Sequence, residues 1–66
     1  MKAIFTYEDE HLGKNYIVIS KIREVHKALG NLVITFDNGD KRTLDVPDTG
    51  KAISDILTAI EDFYQR

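Results

Sequence analysis

From Leu32 to Val46 apolar and polar side chains alternate on either side of an Asn38-Gly39 step. That combination is the strongest short-range signature of a β-hairpin. Leu32, Ile34 and Phe36 share one strand face, and Leu44 and Val46 share one face of the next. A two-residue loop at Asn38-Gly39 would pair Phe36 with Lys41 and Val33 with Leu44, setting the two apolar sets on opposite faces. A three-residue loop restores the match, because a slip of one residue flips every side chain of a strand. The pattern therefore predicts Asp37 and Asn38 in a type I turn and a left-handed Gly39 forming a G1 bulge.

The same alternation predicts a first strand over Lys2 to Tyr7, with Ala3, Phe5 and Tyr7 on one face and Ile4 on the other. A polar connection, Glu8 to Asn15, follows and ends in the turn formers Gly13 and Asn15. Tyr16 to Ile19 is β-branched and apolar, which predicts a second strand buried on both faces. Ser20 to Asn31 admits two readings. Ser20 as N-cap, Ile22, Val25 and Leu29 on one face, and Gly30 at the C-terminal cap describe a helix at about 20–29. Alternatively, Ile22 to Lys27 is extended after a bulge near Ser20 and loops through Gly30-Asn31 into the hairpin. Periodicity favours the helix; short antiparallel connections favour the strand, which is the reading taken.

Pro47 has no amide hydrogen for a ladder and ends the sheet. Asp48 or Thr49 is placed to cap a C-terminal helix. Along it Ile53, Ile56, Leu57, Ile60 and Phe63 or Tyr64 make an apolar stripe, with Lys51, Asp55, Thr58, Glu61 and Asp62 on the outer face. The expected fold is α+β, one small domain spanning 1–66: a meander of four or five antiparallel strands packed on one face by a single helix. The helix should bury its isoleucines against Ile19, Ile34 and Leu44.

Composition narrows the function classes. At 66 residues there is room for one thin core, and chains of this size usually add disulfides, a metal or oligomerisation. The chain has no cysteine and two histidines, so disulfides and thiolate metal sites are excluded and no cofactor is expected. Self-association is the stabiliser left open, with a homodimer as one expected form. The longest apolar run, Tyr16 to Ile19, is far short of a membrane span. The N-terminal segment lacks the continuous apolar stretch of a signal peptide. A cytoplasmic protein without membrane contact is expected. A net charge of −2 speaks against generic polyanion binding but leaves room for a local basic face.

No motif carries a reaction. Asp48-Thr49-Gly50-Lys51 glances at a phosphate-binding loop, but Asp45 stands where its first glycine belongs and Ala52 where its hydroxyl belongs. Glu8, Asp9, Glu10 and His11 lack the ligand periodicity of a calcium loop and read as a solvated turn. His26 has no nucleophile to activate. An enzyme is not expected. Two binding surfaces are candidates. One is a basic strip of Lys14, Lys21, Arg23, Lys27, Lys41 and Arg42, in which Lys21, Arg23 and Lys27 would point alike and meet phosphates. The other is an interface formed by Phe5, Tyr7 and Tyr16, whose alanine substitutions should weaken association without unfolding the monomer.

Ile19-Ser20-Lys21-Ile22-Arg23-Glu24-Val25, then Val33 to Gly39 and a closing helix, resembles the C-terminal part of small bacterial pleckstrin-homology-like domains. In those an I-x-x-V step and an F-D-D-G-like turn recur. The likeness covers about the last two-thirds of the chain. It implies a curved sheet closed by a helix, with binding through a face or an edge, and transfers no binding residue. Short, acidic, cysteine-free chains of this style also look like accessory proteins of bacteria and their phages. The expected function is a non-catalytic protein-interaction module, self-associating, with nucleic-acid binding through the basic strip as the alternative.

Overall fold

The computed structural model describes residues 3–65. Five strands and one helix follow in order: β1 Ile4–Asp9, β2 Gly13–Val18, β3 Ile22–Ala28, β4 Asn31–Phe36, β5 Lys41–Leu44 and α1 Thr49–Tyr64. All strand pairs are antiparallel, and the strands divide into a β1–β2 hairpin and a β3–β4–β5 sheet. The division falls at a single 3-10 turn, Ile19–Lys21, that buries Ile19 completely.

The β4–β5 hairpin has the predicted loop. Leu32 lies opposite Leu44 and Thr35 opposite Lys41, leaving Asp37, Asn38 and Gly39 as the connection. Gly39 has φ +91, and its N–H donates to Phe36 O at 2.9 Å while Phe36 N–H donates to Asp40 O at 2.8 Å. The left-handed φ is one that glycine adopts without steric cost. The Asn38 side chain closes the turn, accepting from Asp40 N–H at 3.0 Å.

Residues 22–28 are strand, as the topological reading held. The irregularity in β3 is a bulge between Ile22 and Glu24, so Arg23 and Glu24 together oppose Thr35. Leu29 and Gly30 alone connect Ala28 to Asn31, with φ +52 and +82. Two successive positive φ values define a type I′ turn, whose twist matches that of the flanking strands.

β1 and β2 differ from expectation in extent and in burial, and Ile19, expected to end the second strand, begins the 3-10 turn. The connection after β1 is only Glu10 to Leu12, because Asp9 and Gly13 still pair; the first predicted strand position, Lys2, lies outside the described residues. Nor is β2 buried on both faces. Ile17 is buried but Tyr16 and Val18 are exposed, since a two-stranded hairpin has only one face against the core.

One core joins the layers. Tyr7 and Ile17 of the hairpin, Leu32, Ile34 and Leu44 of the sheet, and Ile56 of α1 form it, with Phe5, Ile22, Val25, Phe36, Val46, Ala52, Ile53 and Ile60 packed around. Asp48 caps α1, its Oδ1 accepting from Lys51 N–H at 3.0 Å. The helix rotates slightly from its predicted stripe: Ala52, Ile53, Ile56, Ala59, Ile60 and Phe63 face inward, while Leu57 and Tyr64 are exposed. The alanines let the helix approach the sheet, and Leu57 is left at the rim.

Candidate interaction surfaces

The β1–β2 hairpin is amphipathic by strand parity. Phe5, Tyr7 and Ile17 point to the core, and Ile4, Thr6, Tyr16 and Val18 point away from it. Ile4 lies directly opposite Val18, and Thr6 opposite Tyr16. Ile4, Tyr16 and Val18 are 41, 63 and 45% exposed, so they form a contiguous apolar block rather than scattered side chains. Of the three aromatic residues expected at an interface, only Tyr16 is on this outer face. Tyr7 is buried, and its ring lies 6.5 Å from that of Phe5, also packed on the core. Alanine at Tyr7 therefore opens the core instead of reporting on association, which corrects the expectation drawn from the sequence. Val18 is hidden in the sequence because Tyr16 to Ile19 reads as a strand buried on both faces, and Ile4 because it stands alone on its face of the first strand.

The basic residues are exposed but do not form one strip. The bulge resets the parity of β3. Ile22 and Val25 pair with Phe36 and Ile34 of the core-facing side, so Lys27, opposite Leu32, extends from the rim of that side, while Arg23 and Glu24 turn to the far face. Arg42 pairs with Ile34 and Lys41 with Thr35, on opposite faces. Lys21 sits in the 3-10 turn and Lys14 is paired with Glu8. Lys21, Arg23 and Lys27 do not point alike.

The acidic turn is a tether. Asp9 is buried, and its Oδ1 accepts from the N–H groups of His11 at 2.8 Å and Leu12 at 3.0 Å. Its Oδ2 accepts from Asp45 N–H at 3.4 Å, Glu10 N–H donates to Asp45 O at 3.2 Å, and His11 Nε2 lies 2.8 Å from Asp45 Oδ2. The turn is thus fastened to the end of β5. The hydrogen bond from His11 N–H, helped by those from Leu12 and Asp45 and by the imidazole, holds the Asp9 carboxyl below its usual range against the opposing effect of burial. The run of acids in the sequence concealed this role, which depends on a residue 36 positions away.

Three buried polar atoms have no hydrogen-bond partner among the described residues: Tyr7 Oη in the core, and His26 Nδ1 and Thr35 Oγ1 on the far face of the sheet. Among the described residues no group of three or more His, Cys, Asp or Glu is placed to hold a metal ion, and no helix is long and apolar enough to cross a membrane. Comparisons with protein-family models, curated proteins and solved structures find no match to this chain.

Proposed function

We propose that this chain is a non-catalytic protein-interaction module that self-associates through the outer face of its β1–β2 hairpin. The observation that carries the reading is the exposed block of Ile4, Tyr16 and Val18 on two directly paired strands. Covering it removes apolar surface from water, the main source of association energy. A 66-residue chain with one thin core gains more from such burial than a larger one would. The Thr6 and Tyr16 hydroxyls add polar groups to the block, an arrangement suited to a surface that is also stable uncovered.

Sedimentation velocity over micromolar to millimolar protein tests this. The wild type should pass from monomer to dimer, and Tyr16→Glu should remain monomeric with an unchanged circular dichroism spectrum. A wild type that stays monomeric throughout, or a Tyr16→Glu protein that still dimerises, overturns the assignment.

A further inference from the structure

The free edge of β1 faces the helix across a groove. Ile19 N–H donates to Ala3 O at 2.9 Å, which makes Ala3/Ile19 a hydrogen-bonded pair of the hairpin ladder. Hydrogen-bonded and non-bonded pairs alternate along an antiparallel ladder. Phe5, Tyr7 and Asp9 therefore spend their backbone groups on β2, and Ile4, Thr6 and Glu8 direct theirs to the opposite edge. Glu10, next in this series, confirms the parity, since its N–H reaches across that edge to Asp45 O.

Beyond Asp45 the hydrogen bonding to this edge stops, although Val46, Pro47 and Asp48 still border a cavity shared with Thr6 and Glu8. β5 ends at Leu44, Pro47 has no N–H to give, and the chain enters α1. The edge groups of Ile4 and Thr6 have no partner among the described residues. Between them and the helix lies a groove of about 530 Å³, lined by Ile4, Phe5, Thr6, Asp55, Thr58, Ala59 and Asp62. One wall is a strand edge with unused donors and acceptors, and the other is a helix face bearing two carboxylates. Asp55 already holds Lys51 Nζ at 2.8 Å, while Asp62 has no ion pair among the described residues. The β3 edge differs: its bulge and the charges of Arg23, Glu24 and Lys27 guard it against pairing.

We propose that this groove binds an extended peptide segment of a partner protein, adding a strand to the β1 edge and setting a basic side chain against Asp62. Main-chain hydrogen bonds to Ile4 and Thr6 supply sequence-independent affinity, and Asp62 selects for lysine or arginine. The proposal rests on the interaction-module reading but not on self-association: Ile4 and Thr6 border both surfaces, but the peptide would use their backbone edge, and Tyr16, central to self-association, does not line the groove.

The probe is a fluorescein-labelled decapeptide of alternating lysine and valine, with an alternating glutamate and valine peptide as control. Anisotropy should show saturable binding of the lysine peptide alone, weakened roughly tenfold or more by Asp62→Lys, a like-charge contact on an exposed helix position. Hydrogen exchange followed by NMR should show new protection at the Ile4 and Thr6 amides. Of the two versions of this peptide N-methylated at alternate residues, the one that blocks the amides facing β1 should not bind, and the other should bind as the parent does. Tyr16→Glu should bind the peptide as the wild type does, so failure of the dimer leaves this result standing. Equal binding of the N-methylated peptides, protection elsewhere with none at Ile4 and Thr6, indifference to Asp62→Lys, or no binding would each overturn the proposal.

Discussion

Replacing Leu29 by asparagine should make the protein more stable, although it removes a leucine. Leu29 has φ +52 at the first position of the β3–β4 turn, and its side chain is 102% exposed. Left-handed backbone costs an ordinary L-residue about 1–2 kcal/mol, because Cβ crowds the carbonyl oxygen. Asparagine adopts it more readily, and Asn-Gly is the favoured pair for a type I′ turn. No burial is lost, so Leu29→Asn should gain about 1 kcal/mol, which for a domain of 60–100 residues raises Tm by roughly 4–8 °C. Leu29→Gly should gain less, since glycine also frees the unfolded chain. Leu29→Pro should destabilise, its ring fixing φ near −65°. Thermal and urea unfolding by circular dichroism, at micromolar protein to keep association out of the measurement, would show a higher midpoint with unchanged m. An unchanged or lower midpoint for Leu29→Asn would refute the claim that this turn holds strain.

Three other outcomes follow from the core and the tether. Tyr7→Phe should leave stability unchanged or raise it, because the buried hydroxyl has no partner among the described residues, whereas Tyr7→Ala should cost about 3–5 kcal/mol; urea unfolding separates the two. Ile56→Ala should cost about 2–5 kcal/mol, a large share of the stability of so small a domain, and be measured as a fall in urea midpoint. Asp9 binds its proton less tightly folded than unfolded. Its stabilising contribution is therefore present above the unfolded value of about 3.9 and disappears as pH falls through the lower folded value. Asp9→Asn should accordingly flatten the stability profile on the acid side below about pH 4, in urea titrations from pH 7 to pH 2.

Much of the fold is readable from local chemistry. The three-residue turn at Asp37 to Gly39 follows from side-chain parity, and the α1 cap at Asp48 from the residue preceding an apolar stripe. Where helical periodicity and topology disagree, over Ser20 to Asn31, the short connection prevails; Leu29 obscured it, because leucine is a poor signal for a turn with positive φ. The surfaces are harder to read. Side-chain alternation places Phe5 and Tyr7 together but does not say which face of the hairpin meets the core, so it cannot tell inward aromatics from exposed ones. The basic strip dissolves because one bulge at Arg23 inverts the parity of half a strand. The Asp9 tether and the β1 groove both depend on where the end of β5 lies relative to β1, a contact between segments far apart in sequence.

The most direct test of self-association through the outer hairpin face is a dilution series followed by methyl ¹H–¹³C NMR. Ile4 and Val18 methyl resonances should move together with concentration while those of Leu12 and Leu29, exposed at the hairpin turns, stay fixed. Concentration-independent Ile4 and Val18 resonances up to millimolar protein, or shifts confined to the turn leucines, would contradict the account.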